Sequence, residues 1–404
     1  MKKLAILVPL VCLVVGVAYA GEPIVIGETL TISSKILDEE RTILVSTPPG
    51  YDGTKQAYPV LYMTDGDQHL THTRGTVDFL ASNGLMPQVI IVGVTNTDRT
   101  RDLTPTHVAS RTIDGNVFES PTSGGAATFL DFFEQELFPY VDANYRTLPL
   151  RLFAGHSFGG LFALDAVFTR PTMFAAVIAA SPSLNWDDAL PLRQAASFVK
   201  DRAELNAALF IAMANEEEGD PRPTRLDRLE QVFEEASIDG FSWQVMRMPD
   251  ETHGSMPLRA HYWGLRFVFE GWQLPRDPET GVFNGGVDEI KAHYAGLSTH
   301  YGFTVVPGEQ VVNQLGYRKL GRDDFDGAIA VFRYNIELYP DSANVYDSFG
   351  EALENAGRLE EALASYSRAV DNATTINDDR LAIFTTNRDR AQGLVDQAKN
   401  QTDE

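Results

Sequence analysis

Residues 151–164 read RLFAGHSFGGLFAL: an apolar run, a serine flanked by glycines, and a second apolar run. That stretch leaves the chain few choices. Residues 150–154 are too few for a helix and read as a buried strand, whereas 160–168 read as a helix, so Ser157 falls at the junction between them. Small residues at such a junction let a helix approach a sheet closely, and packing alone would use them. A sharp strand-to-helix turn also holds a nucleophile in unfavourable backbone angles, and Gly155-x-Ser157-x-Gly159 has the spacing of that turn.

The surrounding sequence keeps alternating strand and helix. Residues 30–48 read as two strands around the polar turn Asp38-Glu39-Glu40, and 59–63 as an apolar strand broken by Asp65-Gly66-Asp67. The purer apolar run at 89–94 suits a strand buried on both faces. Further strands are predicted at 175–180, 208–213 and 241–248, and helices at 126–141, 224–236 and 258–270. This order predicts an α/β fold, a mostly parallel sheet flanked by helices. With 44% hydrophobic and 22% charged residues the chain can bury such a core. Its 404 residues exceed one ordinary domain.

The texture changes after residue 275. Pro275, Pro278, Gly281, Gly285 and Gly286 mark a linker, with a helix, over 276–308. Beyond it Gly316, Ala328 and Phe332 recur as Gly350, Ala362 and Tyr366, each 34 residues on, and Pro340 closes the first unit. That period and pattern are those of tetratricopeptide helix pairs. They predict an all-α module over 309–404, with units at 309–342 and 343–376 and a capping helix over 378–398. Lys319 and Asp323 depart from the pattern, at a usual aromatic and a usual glycine position. Two repeats are few for a free solenoid, so the module is expected to pack on the catalytic domain, 21–275.

At the other end, Lys2 and Lys3 precede an apolar run over 4–17 and then Ala18-Tyr19-Ala20, the layout of a secretory signal peptide over 1–20. The run is short for a membrane span. Export to the periplasm or beyond is therefore expected. Cys12, the single cysteine, lies inside that segment, so a mature chain would hold no disulfide, thiol nucleophile or cysteine-bound metal. The formal charge is −23, and loss of Lys2 and Lys3 would bring it to −25. Such a surface repels nucleic acid and anionic membranes.

A serine hydroxyl attacks only when a base takes its proton. In this architecture the order along the chain is serine, acid, histidine, with the histidine in a loop after a late strand. Of eight histidines, His69, His72, His107 and His156 precede the serine, and His293 and His300 lie in or past the linker. His253 directly follows the 241–248 strand and is the predicted base; His261 lies inside the following helix. The acid should follow the 208–213 strand, where Asn215-Glu216-Glu217-Glu218 stands. Spacing does not choose among the three glutamates. Glu216, nearest the strand end, is taken first, ahead of Asp250 and Glu251, which adjoin the histidine. Two backbone N–H groups should receive the oxyanion, those of Phe158 and Asp67. His69 and His72 have a spacing that suits a metal on a helix face, but no third ligand is fixed by spacing, so neither metal nor cofactor is predicted. Arg99 and Asp102 are read as a structural ion pair in a loop bordering the site.

On these residues the region 30–275 resembles the putative-esterase branch of the α/β-hydrolases. That branch includes S-formylglutathione hydrolases (esterase D), siderophore trilactone esterases, feruloyl esterases and mycolyltransferases. The matching stretches, in the expected order, are SSKILDEERTILVSTPPGY, YPVLYMTDGDQH, VIIVGVTNTDRTRDLTPT, GGAATFLDFFEQELFPYVDANYRT, RLFAGHSFGGLFAL and AASPSLNWD. The resemblance implies an α/β-hydrolase fold, a nucleophile at Ser157, a base at His253 and oxyanion donors at Phe158 and Asp67. The acid varies in this branch, and some siderophore esterases resemble serine–histidine dyads, so Glu216 stays open. A C-terminal tetratricopeptide segment is similar to that of a sub-branch of exported esterases. A signal peptide argues against S-formylglutathione hydrolases, which are normally cytosolic. Asn185-Trp186 stands where that sub-branch often has two aromatics, which implies a different acyl pocket.

The expected function is an exported serine esterase acting on a small-molecule carboxylic ester, of siderophore-esterase type, with a protein partner as a further possibility for the repeats. An acyltransferase would share the acyl-enzyme. A scaffold built on the same fold would be marked by loss of the serine, the histidine or the elbow glycines, and all are present.

Overall fold

Neighbouring residues of the central strands part to opposite sides of one sheet. Tyr62, Val92, Phe153 and Val177 lie in one core, and Leu61, Ile91, Leu152 and Ile178 in the other. The two-residue period of a strand requires this, and apolar groups on both sides mean that both faces are covered.

The computed structural model describes residues 23–402 apart from 54, 114–115, 201 and 217–218. The predicted signal peptide, Glu217 and Glu218 lie outside the described residues. The chain opens with the hairpin β1 (Glu28–Ser34) and β2 (Glu39–Ser46), then runs through β3 (Tyr58–Thr64), α1 (Gly66–Ser82), β4 (Ile90–Val94) and the short α2 (Arg99–Leu103). A small hairpin, β5 (Ser110–Ile113) and β6 (Asn116–Glu119), precedes α3 (Ala126–Phe132) and α4 (Phe138–Asn144). Then come β7 (Thr147–His156), α5 (Phe158–Thr169), β8 (Ala176–Ala180), α6 (Leu190–Lys200), β9 (Glu204–Ala214), α7 (Arg222–Glu234), β10 (Asp239–Met248) and α8 (Pro257–Val268). The main sheet has the order β1-β2-β4-β3-β7-β8-β9-β10. It is parallel from β4 to β10, with β1 and β2 antiparallel at one edge. The mostly parallel, helix-flanked sheet expected from the alternation is therefore present. One face carries α3, α4, α5, α6 and α7, and the other α1 and α8.

Some elements differ from the expectation. The helix expected over 126–141 is broken by a π-helical stretch, Phe133–Leu137. Pro139 has no N–H to give the carbonyl four residues back, so the ladder must shift there. Arg99 and Asp102 lie on α2 rather than in a loop, because the Asp98 carboxylate caps its start by accepting from the Arg101 N–H at 3.0 Å. Helix α1, the β5–β6 hairpin and α6 are present in addition to the elements that the sequence pattern predicts.

Past the sheet, α9 (Val287–Tyr301) leads to the helix pairs α10 (Glu309–Leu320) with α11 (Phe325–Leu338) and α12 (Ala343–Asn355) with α13 (Leu359–Ile376), then α14 (Leu381–Thr402). The two pairs repeat one contact. A Cβ on Gly316 would lie 2.4 Å from the Phe332 ring, and one on Gly350 would lie 2.8 Å from the Tyr366 ring. Glycine is needed at both positions for the helices to cross so closely. Tyr301 and Phe303 pack against the sheet core beside Trp272, and with it they also pack against the core formed by Ile290, Tyr294 and Val331.

Candidate active site

Strand β7 ends at His156 and α5 begins at Phe158, which leaves Ser157 alone in the turn with φ 61° and ψ −112°. A non-glycine residue in that region is strained and persists only where its surroundings hold it. Here the Ser157 N–H donates to the Ala180 carbonyl at 2.9 Å, and the Ser157 carbonyl accepts from Leu161 at 2.9 Å and from Ser183 at 3.2 Å. The flanking glycines are there for space. A Cβ on Gly155 would lie 2.1 Å from the Gly159 carbonyl oxygen, and one on Gly159 would lie 2.4 Å from Thr64 Oγ1.

Strands β9 and β10 are parallel neighbours, so the loops at their C-terminal ends meet beside this turn. The first loop carries Glu216 and the second His253. His253 Nδ1 lies 3.1 Å from Glu216 Oε1, and the Glu216 side chain is 2% exposed. The other carboxylate oxygen, Oε2, pairs with Arg222 Nη2 at 2.6 Å. Arg222 also pairs with Asp220 at 2.6 Å, and its Nη1 stands 3.0 Å from His253 Nδ1. A guanidinium only donates and a carboxylate only accepts, so the tautomer decides which neighbour bonds Nδ1. With the proton on Nδ1 the imidazole donates to Glu216, and Nε2 is free to act as a base. Burial pushes the Glu216 carboxyl upward, but the His253 hydrogen bond, the Arg222 charge and the Ser181 hydroxyl outweigh it and hold the group below its usual value. Among the described residues no hydrogen bond links Ser157 Oγ to His253, a contact that in such sites often tightens only with substrate bound.

Two helices, α5 and α1, begin close to one another at this turn: a Cβ on Gly159 would lie 3.3 Å from Asp65 Oδ2. Phe158 is the first residue of α5, and Asp67 is the second of α1. The Asp67 side chain is exposed. The N–H groups of Gln68 and His69 both bond the Asp65 carbonyl, so those of the first two residues of α1 have no partner within the helix, as at any helix start. Asp65 itself is buried and left-handed, φ 53°. It is bonded by Arg99 Nε at 2.7 Å and by Asn96 at 2.6 Å. Arg99 Nη2 also donates to the His156 carbonyl at 3.1 Å, which ties the α1 start to the elbow.

Arg99 and Asp102 do not pair with each other. Asp102 is buried and paired with Arg41 and Arg101, a framework pair beneath the site. His261, the alternative base, is buried in α8, with Nδ1 2.8 Å from Thr73 Oγ1. It packs with His69 and His72 at centroid distances of 5.9 and 5.2 Å. Among the described residues no group of three His, Cys, Asp or Glu side chains is placed to hold a metal ion. Two residues that the sequence pattern does not single out stand against His253. Arg222 lies far enough from Glu216 in the chain to look like an ordinary helix-start cation. His156, the variable residue inside the motif, donates to the His253 carbonyl at 2.8 Å.

A family model described as Putative esterase matches residues 34–226. The chain is 30% identical over 206 residues to ferri-bacillibactin esterase BesA of Bacillus subtilis, covering 48% of this chain and 70% of that protein. It is 29% identical over 217 residues to a siderophore enterobactin esterase of Emericella nidulans, covering 45% of this chain and 71% of that protein. A solved IroE-like serine hydrolase from Shewanella oneidensis superposes with a TM-score of 0.66 at 28% identity, covering 77% of this chain and 99% of that one.

Proposed function

This chain belongs to the putative-esterase family and acts on ester bonds, and from that premise we propose that it is an exported serine esterase working through an acyl-enzyme on Ser157. The observation that carries the reading is the His253–Glu216 contact of 3.1 Å beside an elbow serine.

In this mechanism His253 Nε2 takes the Ser157 proton as Oγ attacks the ester carbonyl. The tetrahedral oxyanion falls between the Phe158 and Asp67 N–H groups, each at a helix N-terminus where the peptide dipoles favour negative charge. Glu216 holds the Nδ1–H tautomer and stabilises the imidazolium. Collapse expels the alcohol, which receives the proton from His253. Water, deprotonated by the same imidazole, then releases the acid and restores Ser157.

The substrate class follows from the relatives. Esterases named for ferri-bacillibactin and enterobactin support an ester of siderophore type. The Lys2-Lys3 head and apolar run support export, and the 34-residue recurrence of Gly316 and Phe332 at Gly350 and Tyr366 supports tetratricopeptide pairing of the C-terminal helices.

The test is turnover of p-nitrophenyl esters of increasing chain length and of a trilactone siderophore by residues 21–404, with fluorophosphonate labelling. Ser157→Ala and His253→Ala should each lower kcat by about 10³-fold or more with the melting transition retained, since the two act as one unit. No turnover and no labelling of the unaltered protein would overturn the proposal.

A further inference from the structure

Most cations around the site are neutralised by a carboxylate. Arg99 pairs with Asp65, Arg101 with Glu39 and Asp102, and Arg222 with Glu216 and Asp220. Arg111 on β5 is different. It is half-buried, its Nε is buried with no acceptor, and among the described residues its side chain makes no ion pair or hydrogen bond. Instead its guanidinium lies 5.0 Å from the Phe158 ring centroid and 4.9 Å from that of Trp186. Those two rings meet edge to face at 5.4 Å. Trp186 is fully buried and fixed by its Nε1–H, which donates to Thr106 Oγ1 at 3.1 Å.

This arrangement is specific in three ways. A guanidinium stacked on aromatic rings keeps the edge formed by its two Nη groups open for a planar, bidentate acceptor, even with Nε buried. The stack is built on Phe158, the residue directly after Ser157, so the guanidinium stands one ring away from the Ser157 turn. Burial without a counter-charge also pulls the Arg111 guanidinium below its usual value, and a bound anion would reverse that. In a chain of net charge −23, a diffuse field repels anionic substrates, and only a local unpaired cation can hold one.

We propose that Arg111, stacked on Phe158 and Trp186, is the specificity residue of an acyl subsite that selects esters carrying a carboxylate-type anion on the acyl group. This rests on the reading of Ser157 as the acyl-accepting nucleophile.

Two esters of equal length test it: 4-nitrophenyl hexanoate, which is neutral, and mono-4-nitrophenyl adipate, in which a carboxylate replaces the terminal methyl. For the full mature chain the adipate should have the higher kcat/KM, through a lower KM, and added salt should erode that preference. Arg111→Gln should lower the adipate-to-hexanoate ratio by about tenfold or more, and Arg111→Lys should restore part of it. A separate arm needs no turnover: calorimetric titration with phthalate should show binding that Arg111→Gln weakens about tenfold or more. Equal ratios in the unaltered protein and in Arg111→Gln, or phthalate binding indifferent to the substitution, would overturn the proposal. Failure to hydrolyse either ester, with fluorophosphonate labelling of Ser157 retained, would leave the esterase reading standing, and the phthalate titration would then decide whether Arg111 holds an anion.

Discussion

The imidazole of His156 donates from Nε2 to the backbone carbonyl of His253 at 2.8 Å, and the two rings pack with centroids 4.6 Å apart. A carbonyl cannot donate, so this bond fixes the proton of His156 on Nε2. The residue before Ser157 thus pins the loop that carries His253. His156→Phe should keep the ring packing and lose the bond, lowering kcat about tenfold with KM little changed and slowing fluorophosphonate labelling in parallel. His156→Gln, which can donate, should recover part of the loss. Equal effects of the two variants on kcat, or a loss confined to the melting temperature, would count against a positioning role.

Glu216 divides its two oxygens between His253 and Arg222. Glu216→Gln should lower kcat by several orders of magnitude, because an amide no longer enforces the Nδ1–H tautomer. Arg222→Ala should act differently. It removes the cation that pairs with the second Glu216 oxygen but leaves the His253–Glu216 contact, so kcat should fall much less than for Glu216→Gln. An equal loss in the two variants would show that Arg222 is needed to hold Glu216 against the imidazole.

The carboxyl of Glu216 also links stability to pH. Its native value lies below the usual 4.5, so its contribution is fully present above that value and is lost as pH falls through the native one. Glu216→Gln should therefore flatten the melting temperature against pH below about 4.5, measured by differential scanning fluorimetry. An unchanged acid slope would refute this.

The buried imidazoles act in the same direction at higher pH. Burial pulls His72 to about 4 and His156 to about 3, and lowers His69 and His261 as well, from a usual 6.5. In the unfolded chain these groups take up protons near 6.5, whereas in the native state they stay neutral. Stability should therefore fall as pH drops from about 6.5 towards 4. Replacing the half-buried His72 with Gln should reduce that slope without altering ester turnover at neutral pH, because among the described residues the His72 ring packs on His69 and His261 and not on His253. A melting temperature flat over this range would overturn the assignment of these rings as neutral.

A cut after residue 275 removes more than a tail. Phe269, Trp272 and Tyr301 form a ring cluster with centroid distances of 5.6 to 5.7 Å, and the Tyr301 hydroxyl donates to the Val268 carbonyl at 3.1 Å. The fragment 21–275 should melt about 5 °C or more below 21–307. Equal transitions would place the boundary at 275.

The strands and the elbow were legible in the chain because their causes are local. An apolar run such as 89–94 can only be a strand covered on both sides, and Gly155-x-Ser157-x-Gly159 between a strand and a helix needs no distant partner to be read. The glycine–aromatic recurrence at 34 residues is local in the same sense, since each close crossing joins neighbouring helices. The β5–β6 hairpin left no such trace, because its four-residue strands carry few apolar groups and β6 is exposed along its length.

By itself the sequence determined the sheet's alternation, the position of Ser157 and the order in which an acid and a histidine must follow. Only the tertiary structure decided which groups surround them. Spacing could not choose among Glu216, Glu217 and Glu218, because a loop after a strand places its side chains by packing rather than by period. Glu216 meets His253 because β9 and β10 run parallel and end side by side. His156 and Arg222 meet His253 for the same reason: parallel strands bring the loops at their C-terminal ends together, from residues 97 and 31 positions away in the chain.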